Sequence, residues 1–408
     1  MPPKFSVIIP TRERADTLQS ALRTCTAQNY DRLEIIVSDN ASEDETKDVV
    51  HSFRDSRIRY VNTGKRVSMS HNWEFALSHV TEGYVTIIGD DDGLLPDSVA
   101  TLSDLACRTG LQAITWKAAS YIWPGCVNEH RRNLLNIRTR SGFERRSTQK
   151  MLKTVLACRL HYSELPFLYS GCASYETIHK AMVDGVFFHS RNPDIYSAIA
   201  LAGVLDEYGY SHRPYSISGA SHHSTGTACF THNQRRGAFQ KYSSEENIPF
   251  HRAVKFASSE PIMVAEAFLQ ARDHISGANF PDIDVRTVLN KAFQKVTKMP
   301  LEQQGPVIDA LNETARINGL NLQYTFRRTP QRRHTPRKET VFGYNPIRKY
   351  LNIDCSEFDV RDVYQASLLA HHLLTIERGM LYRHSVTGSL RTSVNFIIRE
   401  LRKRVPGG

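Results

Sequence analysis

The chain has 408 residues, of which 40% are hydrophobic and 23% are charged. This length predicts two or three domains, and the composition is that of an ordinary globular protein with a substantial core. The seven cysteines are scattered and form no C-x-x-C pair, which argues against a disulfide framework or a zinc site and fits a reducing, cytoplasmic environment.

The first 110 residues alternate strand and helix patterns. Apolar runs predict strands at 5–9, 33–39, 58–62 and 84–90, and the first strand is expected to end at Pro10, which cannot continue a central strand. Helical spacing predicts helices at 16–28, 44–53 and 70–80. This alternation indicates a parallel sheet with helices on both faces, which binds ligands at the carboxyl ends of its strands.

The rest of the chain divides into two further regions. Residues 111–235 are mixed, with strands predicted at 111–119 and 210–218, a polar loop at 124–146, and helices at 149–158, 175–183 and 194–207. Residues 236–408 are predicted to form a helical domain, with helices at 261–272, 285–296, 307–318, 360–378 and 389–405. A basic, proline-containing linker is expected at 327–338.

Three polar clusters follow the predicted strands. Asp90, Asp91 and Asp92 close the fourth strand, where adjacent like charges favour a hard divalent cation such as Mn²⁺ or Mg²⁺. An acidic turn closed by Gly93 is the structural alternative.

The second cluster begins at Asp39, which is suited to accept hydrogen bonds from a base or a ribose, with Asn40 beside it. Ser42 and Glu45 also predict a capping box for the following helix. The third cluster contains Thr11 and Arg12, and an arginine there is suited to phosphate, although a solvated loop explains it equally well.

Four segments, FSVIIPTRERADTLQSAL, LEIIVSDNASEDET, RVSMSHNWEFAL and EGYVTIIGDDDGLLP, together resemble the family-two glycosyltransferases of the GT-A fold. The resemblance is specific over about the first 100 residues and fails beyond about residue 225. It implies a GT-A-like parallel or mixed sheet, with 1–110 binding the nucleotide-sugar, 111–235 binding the acceptor, and 236–408 as the helical domain.

The resemblance also implies roles for individual residues. Pro10, Thr11 and Glu13 match the segment along the nucleoside, Asp39 matches the base-binding aspartate, and Arg66 and Asn72 match a stretch near the donor. Asp90 and Asp92 match the ends of the D-x-D motif, whose first member touches ribose and whose last holds the metal. Asp91 stands between them, so the pair that acts stays open.

Two later motifs have a chemical interpretation. Asp194 resembles the late acidic residue that serves inverting members as general base, with Glu164 and Asp184 as rivals and helix capping as the structural alternative. His222, in the loop SGASHHSTG, is a candidate metal ligand. The alternative is an exposed loop histidine.

The expected function is therefore metal-dependent transfer, with inversion, from a nucleotide-sugar, with UDP as the commonest nucleotide in the family, to a glycan or lipid-linked acceptor in surface polysaccharide synthesis. A nucleotidyltransferase acting on a sugar phosphate is one alternative, although residues 11–14 lack the expected glycine-rich loop. A nucleic-acid-binding protein would explain the net charge of +10, but basic and aromatic residues are interleaved only near 324–338, so no nucleic acid is expected.

No window of about 18 apolar residues predicts a membrane span. Residues 389–405 combine an apolar stripe with five basic residues, which suits either packing on the helical domain or peripheral contact with an anionic membrane.

Overall fold

The computed structural model describes residues 1–126, 129–224, 245, 247–296, 299, 301–326, 343–345 and 349–375. Its strands are β1 (Phe5–Thr11), β2 (Leu33–Asp39), β3 (Ile58–Asn62), β4 (Tyr84–Ile87), β5 (Gly93–Leu94), β6 (Ala113–Trp116), β7 (Ala119–Ile122), β8 (Leu134–Arg138), β9 (Phe143–Ser147), β10 (Gly171–Ser174), β11 (Glu207–Ser211), β12 (Ser216–Ala220), β13 (Gly343–Asn345) and β14 (Tyr350–Asp354). Its helices are α1 (Ala15–Thr26), α2 (Thr46–Ser52), α3 (Met69–Leu77), α4 (Ser98–Thr109), α5 (Thr148–Leu156), α6 (Tyr175–Lys180), α7 (Pro193–Val204), α8 (Glu260–His274), α9 (Val285–Val296), α10 (Leu301–Ile317) and α11 (Val363–Thr375).

The main sheet has eight strands in the order β3-β2-β1-β4-β10-β6-β11-β9. The first four are parallel, whereas β10 runs antiparallel to both of its neighbours. Strands on either side of the predicted boundary at residue 110 thus share one mixed sheet.

The two faces of β1 belong to different cores. Phe5, Val7 and Ile9 pack with α1 and α4, whereas Ile8 packs with α3 and α7 on the other face. Because side chains alternate across a strand, an apolar run of five residues fills both layers. This burial holds the carboxyl ends of β1, β2 and β4 together.

Strand β1 continues through Pro10, so the expectation that it ends there is wrong. Ile8 accepts a bond from Ile88 on the β4 side, and Pro10 faces the same side two residues later, after β4 has ended at Ile87. A proline that faces no partner strand costs no ladder hydrogen bond.

Residues 124–146, predicted as a loop, contain β8 and β9, and this prediction is wrong. Strand β9 lies at the edge of the main sheet with a polar sequence, FERRS, which lacks the apolar pattern of a buried strand. The predicted strands at 111–119 and 210–218 are each divided in two, because the chain passes from the main sheet to a second one.

The second sheet has the order β13-β14-β8-β7-β12-β5. Its strands β13 and β14 come from the C-terminal region, which is therefore not helical throughout, and α11 packs on this sheet. Helices α8, α9 and α10 form a separate core. The predicted helix 389–405 and linker 327–338 lie outside the described residues.

Candidate active site

The three polar clusters predicted at the strand ends are in direct contact. The amide of Asn40 donates to the carbonyl of Thr11 at 3.0 Å, which joins the ends of β1 and β2. The amide of Glu13 donates to Ser42 Oγ at 2.9 Å. Glu13 has a positive φ of 52°, so this bond holds a backbone conformation that L residues rarely adopt.

This use of Ser42 corrects the predicted capping box. Helix α2 begins after Glu45 with no side-chain cap. Instead, Asp44 accepts from the amides of Thr46 at 3.1 Å and Ala15 at 3.0 Å, and so ties the starts of α1 and α2 together. Ser42 is therefore part of the contact between loops.

Asp90 is buried and is paired with Arg14. Arg14 donates to Asp90 Oδ1 at 2.8 Å and to the carbonyl of His223 at 2.7 Å. Burial raises the pKa of Asp90, and the positive charge of Arg14 opposes that rise. For Arg14 itself, burial is outweighed by the charges of Asp90 and Asp91, and its pKa is raised.

Asp91 is held by neutral donors from the loop after β12. Its carboxylate accepts from Ser221 Oγ at 2.6 Å, from the Ser221 amide at 3.2 Å and from Ser224 Oγ. Its carbonyl accepts from Trp123 at 3.0 Å. The late polar loop is thus attached to the middle of the triplet.

Asp92 accepts two backbone hydrogen bonds. The amide of Gly89 donates at 2.9 Å and that of Gly219 at 2.7 Å, one to each carboxylate oxygen. Burial and the charge of Asp91 nevertheless raise the pKa of Asp92 to about 7. Two neighbouring carboxylates with neutral partners leave negative charge that a cation would neutralise.

Tyr169 interacts electrostatically with both the triplet and Asp194. Burial and the charges of Asp92 and Asp91 raise its pKa well above the ordinary value, and Asp194 adds to the same effect. Its ring stacks on Trp73 with centroids 5.9 Å apart. The phenol therefore lies within electrostatic reach of both groups of carboxylates.

Asp194, the predicted base, lies in the first turn of α7. The cap position belongs to Asn192, so Asp194 is not the N-cap itself. Tyr162 donates to Asp194 Oδ2 at 2.7 Å. Burial raises the pKa of Asp194, whereas the bond from Tyr162 and two backbone amides lower it.

The two alternative candidates for the base, Glu164 and Asp184, lie in different environments from that of Asp194. Glu164 forms an ion pair with Arg146, with 2.9 Å between the charged atoms. Asp184 is exposed on a turn, with a positive φ of 51°. A neutralised carboxylate and a surface one are weaker candidates than Asp194.

Asp39 is buried at the end of β2 and is well supplied with donors. Its Oδ1 accepts from the Ser42 amide at 2.9 Å, and its Oδ2 accepts from Tyr60 at 2.6 Å and Asn62 at 3.0 Å. These bonds fix the direction of the carboxylate.

The other predicted binding residues divide into two groups. Asn40 forms two 2.8 Å hydrogen bonds with the backbone of Val67, and Asn72 bonds to the side chain and carbonyl of Ser38. Both side chains therefore hold loops of the site together, and their contact with the donor stays a prediction. Arg12 and Arg66 are partly exposed and form ion pairs with Glu245 and Glu13. A bound anion would have to compete for these arginines.

His222 lies beside Asp16 and His223. Its Nε2 is 3.8 Å from Asp16, the corresponding distance for His223 is 3.2 Å, and the two rings are 3.8 Å apart. Ligand atoms of these three residues lie within 4.8 Å of one another. The carboxylate that His222 contacts in the structure is therefore that of Asp16. The assignment of His222 as a metal ligand together with Asp92 stays a prediction.

Several residues at the site escaped the sequence analysis. Arg14 follows Thr11 and Arg12 in the cluster after β1, but its interaction with Asp90 and Asp91 is a long-range contact. Tyr162, Tyr169 and Gly219 carry no local pattern that distinguishes them. They act through geometry that only the folded chain supplies.

These features define an α/β protein with an acid-lined carboxyl edge, as expected for nucleotide-binding enzymes. Residues 6–176 match the family model for glycosyl transferase family 2. The resemblance read from the motifs and the GT-A-like α/β fold are thereby confirmed. The two alternative functions are not favoured by this match.

The curated relatives match shorter segments. A GalNAc(5)-diNAcBac-PP-undecaprenol beta-1,3-glucosyltransferase of Campylobacter jejuni is 32% identical over 148 residues, which are 36% of this chain and 45% of that protein. The abequosyltransferase RfbV of Salmonella typhimurium is 33% identical over 104 residues, covering 24% and 31%. The chain thus spans less than half the length of these relatives.

A third relative and one solved structure complete the comparison. The UDP-Glc:alpha-D-GlcNAc-diphosphoundecaprenol beta-1,3-glucosyltransferase WfaP of Escherichia coli is 28% identical over 87 residues, covering 21% and 35%. The structure of S. aureus TarS 1-349 in complex with UDP-GlcNAc is 15% identical, with a TM-score of 0.46 over 78% of this chain and 83% of that one.

Proposed function

We propose that this chain is a glycosyltransferase that moves a sugar from a nucleotide-sugar to a hydroxyl of a lipid-linked glycan, with inversion. The acceptor oxygen forms a bond to the anomeric carbon as the bond from that carbon to the diphosphate breaks. The electron pair leaves with the nucleoside diphosphate, and the acceptor proton passes to Asp194.

The observation that carries this proposal is the position of Tyr169. Its phenol lies within electrostatic range of Asp91 and Asp92 and also of Asp194, since the charges of all three raise its pKa. An acid cluster and a separate buried carboxylate near the same aromatic residue supply the two kinds of group that this displacement needs, ligands for a cation and a base for the acceptor proton. The family match over residues 6–176 supports the same reaction class.

The triplet also has the chemistry of a divalent-cation site. Its oxygens are hard donors, the pKa of Asp92 is raised to about 7, and the described partners of Asp91 and Asp92 are neutral amides and hydroxyls. Asp92 and Asp91 would hold Mn²⁺ or Mg²⁺, which neutralises charge on the departing diphosphate. Arg14 pairs with Asp90 and so balances the charge of that carboxylate.

The remaining contacts suit the donor. Asp39 would accept from the base, and Thr11, Arg12, Glu13 and Arg66 would line the nucleoside and phosphates. The relatives that act on diphosphoundecaprenol-linked acceptors, one of them named for UDP-glucose, support a UDP-sugar and a lipid-linked acceptor.

A donor panel tests the proposal. Hydrolysis of UDP-, GDP- and dTDP-sugars is measured with Mn²⁺, with Mg²⁺ and with EDTA, alongside thermal shifts for each nucleotide. We expect one nucleotide class to stabilise the protein and its sugar to be released only with the cation. No release from any donor, or full turnover in EDTA, would contradict the proposal or its metal requirement, respectively.

A lipid-linked acceptor would place the protein at the inner face of the membrane. Among the described residues no helix is long and apolar enough to cross a bilayer. The association that we propose is peripheral. The basic segment 389–405 is its candidate contact. Binding to anionic liposomes should weaken steeply with salt and should fall when 389–408 are deleted; aggregation of the truncated chain would instead indicate a core helix.

A further inference from the structure

The short turn at Tyr162–Glu164 precedes the main-sheet strand β10 and lies against the start of α7. Tyr162 reaches from this turn to Asp194, where its hydroxyl donates to Oδ2 at 2.7 Å. A general base must present one carboxylate oxygen to the substrate in a fixed direction. Because the hydrogen bond from Tyr162 holds Oδ2, it also fixes the orientation of Oδ1.

Tyr162 is itself held on two sides. The ring of His161 lies over it with centroids 4.3 Å apart, and Phe167 meets it edge-on at 6.2 Å. These contacts leave the phenol little freedom, and the hydroxyl is consequently presented to Asp194 in a single direction.

The helical part of the chain supports this arrangement. Glu260, the first residue of α8, has Oε1 3.5 Å from His161 Nε2, and its Oε2 accepts from Lys295 of α9 at 2.6 Å. On its other ring nitrogen, His161 Nδ1 lies 2.8 Å from Ser163 Oγ. A continuous path of contacts therefore runs from α9 and α8 through His161 to Tyr162 and Asp194.

We propose that Tyr162 is a positioning residue for Asp194 and that α8 supports it through Glu260 and His161. This inference rests on the proposed function, in which Asp194 is the base. It gives the helical region a role in the reaction without any contact to the substrate.

Several groups set the electrostatics of Asp194. Tyr162 and His161 act on it from the turn, and Tyr169 lies on the side of the triplet. Other carboxylates on packed helices face elsewhere: Glu74 of α3 accepts from the amides of Phe187 and Phe188, and Glu266 of α8 accepts from Ser190 and Gln270. The bond from Tyr162 opposes the rise in the pKa of Asp194 that burial causes, so its loss should favour the protonated, inactive form.

The test is Tyr162→Phe, which keeps the ring and removes only the donor. With UDP-glucose and Mn²⁺, we expect kcat at neutral pH to fall about tenfold, a part of the roughly 10²–10⁴-fold that a general base contributes. The KM for UDP-glucose should not change. The acid limb of the pH–kcat profile should move up by about one unit, because a hydrogen bond to a charged group is worth roughly one pKa unit or more.

Tyr324→Phe is the matched control. Tyr324 is also buried and donates to one side-chain oxygen, Asn290 Oδ1 at 2.9 Å, but it belongs to the core of α8–α10. The substitution Tyr324→Phe should change neither kcat nor the pH–kcat profile. Glu260→Gln provides a second variant on the same path and should give a smaller shift of the acid limb in the same direction.

The double variant Tyr162→Phe/Asp194→Asn should be no slower than Asp194→Asn alone, because Tyr162 acts through Asp194. If Asp194→Asn is inactive but Tyr162→Phe has the wild-type profile, the positioning role is refuted and the proposed base stands. If Asp194→Asn itself is fully active, the proposed base fails, and the positioning role fails with it.

Discussion

At the scale of single residues, the carboxylates of the site differ in what surrounds them. Asp90 has a cation, Asp91 has hydroxyls, Asp92 has backbone amides and Asp194 has a phenol. All four residues are aspartates, so their partners, and not their residue type, distinguish their roles. The charge of Asp90 is balanced by Arg14, whereas the hydrogen-bond donors to Asp92 are neutral, so in the proposed reaction Asp92 is the carboxylate that a cation would pair with.

Asp194→Asn should lower the rate of transfer by roughly 10²–10⁴-fold, because an amide cannot take the acceptor proton. Binding of the donor, measured by calorimetry with Mn²⁺, should stay at the wild-type value. Asp184→Asn is the control, since Asp184 is exposed on a turn and asparagine tolerates its positive φ of 51°. A variant at Asp194 that transfers at the wild-type rate would leave this residue with only a structural role.

Asp39→Ala should raise the donor KM more than it lowers kcat. A hydrogen bond to the base is made equally in the ground state and the transition state, so its loss weakens binding uniformly. Tyr60→Phe is the comparison, because it removes the 2.6 Å donor to Asp39 and leaves the carboxylate in place. An unchanged KM in Asp39→Ala, with intact fold by circular dichroism, would remove Asp39 from the nucleotide site.

At the scale of elements, β12 and the loop that follows it complete the acid cluster. Gly219 brings its amide to Asp92, and its Cα lies so close to the triplet that an added Cβ would be 1.8 Å from the carbonyl oxygen of Asp91. A carbonyl of the backbone cannot move aside as a flexible side chain can. The close approach of β12 to the triplet therefore requires glycine.

Gly219→Ala should consequently displace β12 from the triplet. We expect a loss of stability of about 1–3 kcal/mol, as for other overpacked positions, and loss of activity. Gly277→Ala is a useful comparison, since nothing lies within 4 Å of its added Cβ, although its positive φ of 75° carries its own strain. Wild-type activity in Gly219→Ala would contradict the close contact between β12 and the triplet.

The elements also show what the sequence could and could not predict. The bounds of β2 and β3 agree with the apolar runs, because each of these strands is short and ends in a polar cluster. Strand β9 was missed, because an edge strand such as FERRS is fixed by its partner rather than by its own pattern, and the internal strand β8 was missed although its sequence, LLNIR, is mostly apolar. Likewise the triplet and Asp194 were found as motifs, whereas Tyr162 and Tyr169 are recognised only from contacts across the fold.

At the scale of the whole molecule, the buried acid cluster couples folding to pH, and in the proposed reaction it would also couple folding to a bound cation. The folded-state pKa of Asp92 is about 7 against an ordinary value of 3.8. The folded protein therefore binds more protons than the unfolded chain between about pH 4 and pH 7, and its stability falls as pH rises through that window. A cation on the deprotonated cluster would offset this loss.

In EDTA, the free energy of unfolding should fall between pH 4 and pH 7, with a contribution from Asp92 on the order of a few kcal/mol. Asp92→Asn should reduce this slope, whereas Asp104→Asn, at an exposed position on α4, should not. Mn²⁺ should restore stability at pH 7 but have little effect at pH 4. The variant Asp16→Asn should leave the response to Mn²⁺ intact; if it abolishes the response, the ion is bound by Asp16 and the neighbouring histidines.

The most direct test of the account is transfer of labelled glucose from UDP-glucose to a diphosphate-polyprenol-linked glycan, measured with Mn²⁺ for the wild type, Asp92→Ala and Asp194→Asn. We predict labelled product with the wild type, none in EDTA or with Asp92→Ala, and donor binding without transfer for Asp194→Asn. Transfer by both variants at the wild-type rate would contradict the assignment of the reaction to this site.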